Sequence, residues 1–268
     1  MRRHLLLLIT GLAAIAAQGQ PTGSPAMEGI SRTTLFGVGG ASVMDTYLSP
    51  YAYTGPSLSV ALTTERPTHW GKGHLTTMAR YAVRGAYPKS PVSGGHQWDG
   101  ALTLAGGCHY NWHLVENRLR LAAGALVEFD GGGTYSTLGG NNPAQAHIGA
   151  DIAASALAAY TFSVKGHPWQ AGVQADVPLV GTQFAMQYGQ SYYELFRHGH
   201  WDGNLRCTYP GNAPSLRLQA TLAIPVRKSR LIVGYGGDVR QSSLNGIKRH
   251  AWYNQFLLGF SRKLSILK

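Results

Sequence analysis

The chain has 268 residues, of which 13% are charged, and 23 lysines and arginines stand against 12 acids for a formal net charge of +11. Soluble domains normally carry about a quarter charged residues, so this composition argues against an ordinary soluble domain. The arginines are spread segment by segment instead of gathering with aromatics into a recognisable module, which argues against nucleic acid as a partner and leaves anionic lipid headgroups as the counterpart of a basic surface.

Met1-Arg2-Arg3-His4, the apolar run Leu5 to Ala17 broken at Thr10, and small residues around Ala17-Gln18-Gly19 read as a cleaved secretory signal peptide over residues 1–19. The folded domain then covers residues 20–268. The apolar run is too short for a spanning helix with ordinary flanks, which disfavours a retained helical anchor. No later segment reaches about 18 consecutive apolar residues, so a membrane protein of this sequence must cross as strands.

Alternation of apolar and polar residues then recurs down the chain, the signature of strands with two unlike faces. Thr33 to Val43 is a first strand with Phe36 and Val38 on one face, and Met44 to Gly55 reads as a loop. Ser57 to Glu65 sets Leu58, Val60 and Leu62 against Ser57, Ser59 and Thr63. His74 to Ala86 sets Tyr81 and Val83 against Arg80 and Arg84. Trp98 to Leu114 carries an aromatic at one end of its apolar face and a cluster at the other. Asn117 to Phe129 alternates most cleanly, with Leu119, Leu121, Val127 and Phe129 opposite Arg118, Arg120 and Glu128. Asp130 to Ala146 is rich in Gly and Asn and reads as a surface loop. His147 to Phe162 and Trp169 to Leu179 follow as strands, with Asp151, Gln174 and Asp176 on the polar sides. Val180 to Pro214 has no clear alternation. Ser215 to Ile224, Arg230 to Arg240 and Arg249 to Arg262 complete the set, and residues 241–248 read as a loop.

The fold expected is all-β, an up-and-down transmembrane barrel of about ten antiparallel strands, or twelve if residues 180–214 hide a strand pair. Short connections at 66–72, 115–117, 163–167 and 225–229 alternate with long ones at 44–55, 87–96, 130–146, 180–214 and 241–248. In bacterial barrels the long loops are extracellular and the short turns periplasmic. The 35 glycines and 14 tyrosines suit barrel bends and interfacial girdles. Cys108 and Cys207 fall at opposite ends and are expected to stay unpaired, because a disulfide needs Cα atoms within about 7 Å.

The inward faces collect Arg80, Arg84, Asp99, Arg118, Arg120, Glu128, Asp151, Asp176, Arg217, Arg230, Asp238 and Arg240. In a narrow lumen these form either a salt-bridged plug or an arginine-lined path for a small solute or ion. At the extracellular mouth, Asp45 and Tyr47 in one loop and Tyr188, Tyr192, Tyr193 and Glu194 in the other are candidate ligand or mouth-lining residues. The competing account has the tyrosines covering the mouth and Asp45 and Glu194 capping inward arginines. His198 and His200 with Asp202 are too sparse for a metal site. Ser191, Glu194 and His198 supply parts of a hydrolase, but no Gly-x-Ser-x-Gly elbow is present. No catalytic residue, metal or cofactor is assigned.

Asp45-Thr46-Tyr47-Leu48-Ser49-Pro50 and Tyr188-Gly189-Gln190-Ser191-Tyr192-Tyr193-Glu194, with Thr34-Leu35-Phe36-Gly37-Val38-Gly39 in the first strand, resemble a family of uncharacterised outer-membrane proteins of Bacteroidota known by a domain-of-unknown-function name. The resemblance implies an outer-membrane β-barrel over nearly all of the mature chain and no activity. The expected role is that of a non-enzymatic barrel, either a structural and surface-interaction protein or a narrow pore. Its partners are outer-membrane lipid and a small solute or surface partner. The alternatives are a rim-active hydrolase acting on lipid or peptide and a soluble secreted β protein.

Overall fold

A computed structural model describes residues 29–264 apart from 93 and 141. The expected leader, residues 1–19, lies outside the described residues. The elements in chain order are β1 (Ile30–Asp45), β2 (Ser49–Pro67), a short 3-10 turn (Trp70–Gly73), β3 (Leu75–Ala86), β4 (Gln97–Leu114), β5 (Leu119–Ser136), β6 (Ala144–Val164), β7 (His167–Phe184), helix α1 (Tyr192–His198), β8 (Leu205–Thr208), β9 (Ser215–Val226), β10 (Ser229–Leu244) and β11 (Ile247–Leu264).

Each long strand pairs antiparallel with its sequence neighbours, and β1 pairs with β11 from Ile30↔Leu264 to Asp45↔Arg249, so the sheet closes into a ten-stranded barrel. The wall between β7 and β10 has two storeys. β9 pairs with β7 from Gln170 to Asp176, and β8 takes the next stretch, Gly181 to Phe184. Between them Ile152 pairs with Val180 and Ala153 with Pro178, which leaves Leu179 as a bulge. Pro178 has no N–H to give to the ladder, so an irregularity there costs little.

The strands form where alternation predicts them, and the apolar face points outward as expected of a transmembrane barrel. Val127 is 64% exposed while its neighbour Leu126 is fully buried. Phe36, Val38, Leu58, Val60, Tyr81, Val83, Leu102, Phe256, Leu258 and Phe260 are likewise exposed, while Thr103, Asn111, Glu128 and Asp176 are buried inside. This inverts the arrangement of a soluble domain. Aromatic pairs mark both rims, with Tyr110–Trp112, Tyr160–Phe162 and Phe162–Trp169 towards the turns and Tyr87–Trp98 towards the loops.

One end of the barrel, the turn end, carries the connections at 68–74, 115–118, 165–166 and 227–228 together with both described termini. The other, the loop end, carries those at 46–48, 87–96, 137–143, 185–214 and 245–246. Several expected boundaries need correction. Residues 49–55 are strand, because β1 and β2 continue as a hairpin to a three-residue turn. The expected loop at 241–248 is a hairpin tip at Asn245-Gly246, both with positive φ, the Asn-Gly turn that matches strand twist. The expected loop at 130–146 shrinks to 137–143, because Gly131 to Gly133 lie within β5. A Cβ at Gly132 would collide with the Gly100 carbonyl and with Ala101, so glycine serves close strand approach there. Residues 180–214 contribute the end of β7 to Phe184, α1 and the single short strand β8, so the count remains ten and the twelve-strand alternative falls. Connection lengths therefore do not alternate strictly. Cys108 on β4 and Cys207 on β8 are both free and exposed.

Candidate functional site

The lumen is filled by charge. Arg80 donates to Asp176 at 2.6 Å, and Arg84 grips Asp130 with two bonds of 3.2 and 3.1 Å. Arg217 does the same to Glu128 at 2.8 and 3.3 Å, while Arg240 also donates to Oε1 of Glu128 and reaches Asp238 at 3.0 Å. Arg84 and Arg217 each lie 3.6 Å from Asp238. Four arginines thus meet four carboxylates, which neutralises the cluster. They come from β3, β5, β7, β9 and β10. β3 and β9 stand on opposite walls of the ring, so the network crosses the lumen. Buried charges are tolerated when paired and bonded in this way, and the forked geometry of arginine on carboxylate suits the task.

What space remains is small. Cavities of about 80, 50 and 20 Å³ adjoin the network and the layer above it. Each has room for water-sized molecules and little more. Deeper towards the turns, Arg120 binds Glu65 at 3.0 Å and Asn111 at 2.7 Å. His109, Ser155 and Asp176 also meet here, but Ser155 donates to Asp176 at 2.6 Å and lies 2.8 Å from His109. The carboxylate holds the serine instead of orienting the imidazole, and all three are buried, so this is not a nucleophile–base–acid relay.

Towards the loop end a second polar layer forms. Asp99 accepts from Thr134 at 2.6 Å and from the Tyr253 hydroxyl, and Arg249 lies 3.5 Å away. His147 sits 3.1 Å from Thr134 and 3.4 Å from Asp45. Over this layer lies the 185–214 segment. Met186 and Leu195 are fully buried and pack with Ile247 against Tyr47, Phe184 and Tyr192. Ser191 caps α1 by accepting from the Glu194 amide at 3.2 Å, and the Glu194 carboxylate accepts from the Ser191 amide at 2.9 Å, a reciprocal capping box. Gly199 ends the helix at φ 71°, a left-handed conformation that suits glycine.

Tyrosines tie this cap to the barrel. The Tyr192 hydroxyl donates to Gln145 at 3.0 Å and accepts from the Ala146 amide at 2.6 Å. The Tyr47 hydroxyl donates to the Gln190 carbonyl at 3.0 Å. Burial, helped by Tyr192, Asp45 and Glu194 nearby, pushes the Tyr47 hydroxyl up to about 12. Beside the cap, an open depression of about 570 Å³ lies between Trp98, Tyr135 and Tyr192.

Of the expected mouth residues, Asp45, Tyr47, Tyr192 and Glu194 converge under or within the cap, whereas Tyr188 and Tyr193 point out to solvent. Glu194 serves its own helix and caps no inward arginine. Asp45 faces His147. Of the expected lumen set, Arg80, Arg84, Asp99, Arg120, Glu128, Asp176, Arg217 and Asp238 lie inside, Arg240 joins them, and Arg230 binds Gln170 at 2.9 Å. Asp151 is half-buried at the loop end and accepts from Thr208. Arg118 does not face inward as expected. It lies in the exposed 115–118 turn, 3.9 Å from Glu116, because β5 begins one residue later. Asp130, Glu65 and Arg249 also face the interior, beyond the expected set. Asp130 shares the parity of Glu128, but the glycines after it disguise the strand. Among the described residues, no cluster of three or more His, Cys, Asp or Glu side chains is arranged to hold a metal ion.

Solved structures with a similar course include the transport unit of the autotransporter AIDA-I from Escherichia coli, with 11% identity, TM-score 0.44, and coverage of 95% of this chain and 97% of that one. The translocator domain of the autotransporter NalP from Neisseria meningitidis gives 10% identity, TM-score 0.44, and coverage of 97% and 96%. The outer membrane protease OmpT from Escherichia coli gives 9%, 0.49, and 91% and 99%. With values this low, the barrel architecture rests on the strand pairing itself. No curated relative matches the chain. Residues 4–268 match the family described as protein of unknown function (DUF3316).

Proposed function

The chain belongs to the DUF3316 family, whose description assigns no activity, and we propose that it is a non-enzymatic outer-membrane β-barrel, closed to solutes, that acts as a structural or surface-interaction protein through its capped loop end. Membrane placement is supported by the outward apolar belt between two aromatic rims, and outer-membrane proteins cross with such strands. The cleaved leader over residues 1–19 and the Bacteroidota source implied by the motifs belong to the same proposal. Lipid is then the partner of the belt, and the loop end is the surface left for any other.

The observation that carries the closed reading is the ion network spanning β3 to β9 and β10. Opening a path would part charges that are shielded from water, and breaking one buried pair costs about 3–5 kcal/mol. The test is single-channel recording after reconstitution, with the intact protein and with residues Tyr188 to Glu194 deleted. Both are expected to be silent. Conductance in the deletion alone would make that segment a plug over a narrow pore, and conductance in the intact protein would overturn the closed reading. The hydrolase alternative is not supported by its parts, because the Ser191 hydroxyl is engaged as a helix cap and His198 meets Tyr193 edge-on and lies tilted beside His200. Cleavage of lipid or peptide by the intact protein would restore it.

A further inference from the structure

The lumen network is neutral, so the positive surplus of the chain must lie elsewhere, and much of it sits at the turn end. Arg32 on β1 and Arg262 on β11 are direct cross-strand partners, both exposed, and Lys263 is the next residue. Ser229 pairs with the same Arg262 and brings the exposed Arg227 and Lys228 turn beside it. Like charges placed opposite each other on a sheet are destabilising. Little acid offsets them. Glu65 is drawn inward to Arg120, and Glu116, the one exposed acid among the described residues of this end, lies by Arg118 on the far side. The basic series continues around the rim with Arg66, Lys72, Arg118 and Lys165, all exposed, so it forms a ring and not a patch.

Its height relative to the apolar belt is informative. Phe260 faces outward, and Arg262 lies two residues further along the same face, about 7 Å on at the usual strand rise. Arg32 shares that face, because Thr34 pairs with Phe260. Tyr110, Trp112, Tyr160 and Phe162 mark the same rim. Cations just beyond an aromatic girdle stand at the depth of lipid phosphates.

We propose that this basic ring selects anionic phospholipid headgroups in the leaflet that the turn end faces. A ring around the rim, with Arg32, Arg66 and Arg262 on the lipid-facing parity and the rest in the turns and at the end of β11 beside it, fits an annulus of headgroups, whereas a compact soluble anion would need cations converging on one point. Neighbouring cations within a Debye length reinforce one another for a headgroup phosphate and lose that advantage in salt. The inference rests on the membrane placement proposed above.

The test uses the full chain with Trp98, Trp201 and Trp252 changed to Phe, so that fluorescence comes from Trp70, Trp112 and Trp169 at the turn end. It is folded into vesicles of equal phosphatidylcholine and phosphatidylglycerol, with brominated chains on one lipid or the other. Brominated phosphatidylglycerol is expected to quench about threefold more than brominated phosphatidylcholine, with the excess lost in molar salt. The combined change of Arg32, Arg227, Lys228, Arg262 and Lys263 to Gln should also remove it, with heat-modifiable migration showing that the variant is folded. The salt arm stands if that variant does not fold. Equal quenching by the two lipids, a preference that survives both salt and the five substitutions, or inorganic polyphosphate displacing the lipid preference as a tighter ligand would each overturn the inference. Quenching by neither lipid would mean that the barrel does not insert, and the membrane reading would fail with it.

Discussion

At the scale of single residues, Glu128 holds the network together, since its two oxygens take Arg217 and Arg240 from neighbouring strands across the lumen. Glu128→Gln leaves two arginines short of a counter-charge in a site with little water. It is expected to lower unfolding stability by about 3 kcal/mol or more, read from the urea midpoint of the folded protein in lipid. A loss below about 1 kcal/mol would show that Asp130 and Asp238 absorb the freed arginines. The outer face follows a different rule, set by depth. Val127 lies near the middle of β5, so Val127→Arg should cost about 2–4 kcal/mol, while Leu121→Arg, two residues from the strand end, should cost about 0–1 kcal/mol. Equal costs would place the belt elsewhere. Parity made both faces legible in the sequence, because it needs only alternation. It did not say which arginine meets which acid, since pairs such as Arg80 and Asp176 are 96 residues apart and meet only once the ring closes.

Elements were legible where a strand alternates and illegible where glycine or a tight tip interrupts the pattern. Gly131 to Gly133 carry no side chains to alternate, so β5 looks shorter than it is. Asn245-Gly246 was a readable hairpin signal, hidden inside a polar stretch that resembles a loop. In 185–214 the Ser-x-x-Glu capping box from Ser191 to Glu194 was also readable, but the same residue types suggest a hydrolytic site. Their reciprocal bonds assign them to helix formation. That helix matters through its docking, which yields a pH prediction. The Tyr47 hydroxyl has an ordinary value near 10, raised to about 12 by burial and by neighbouring acids and tyrosine. A raised value means that the docked state favours the neutral hydroxyl. Its contribution is therefore complete below pH 10 and is lost as pH climbs towards 12. Limited proteolysis of the 185–209 segment should accelerate over that window, and Tyr47→Phe should raise the rate at neutral pH while flattening the alkaline rise. An unchanged profile in the variant would place the docking energy in Leu195 and Met186 instead.

For the whole molecule, an outer surface of Val, Leu, Phe and Tyr around a charged interior predicts a protein that needs detergent or lipid and migrates faster on gels before boiling than after. Solubility without detergent, or migration indifferent to heating, would count against the belt. The even strand number, the common side of both described termini and closure into a barrel were readable from the repeating pattern, whereas the register of the closing seam was not, because no local feature announces which residue of the first strand will face which residue of the last. That seam governs how the molecule is made. Sixteen register pairs join β1 to β11 across almost the full length of the chain. These are the contacts of highest sequence separation and the slowest to form. Until they form, β1 and β11 each present an unsatisfied edge, and before β11 is added the free edges are those of β1 and β10, each a template for pairing with another chain. A nascent copy lacking its last strand is therefore an open sheet with two adhesive borders. Its survival before closure depends on whatever shields those borders while it waits.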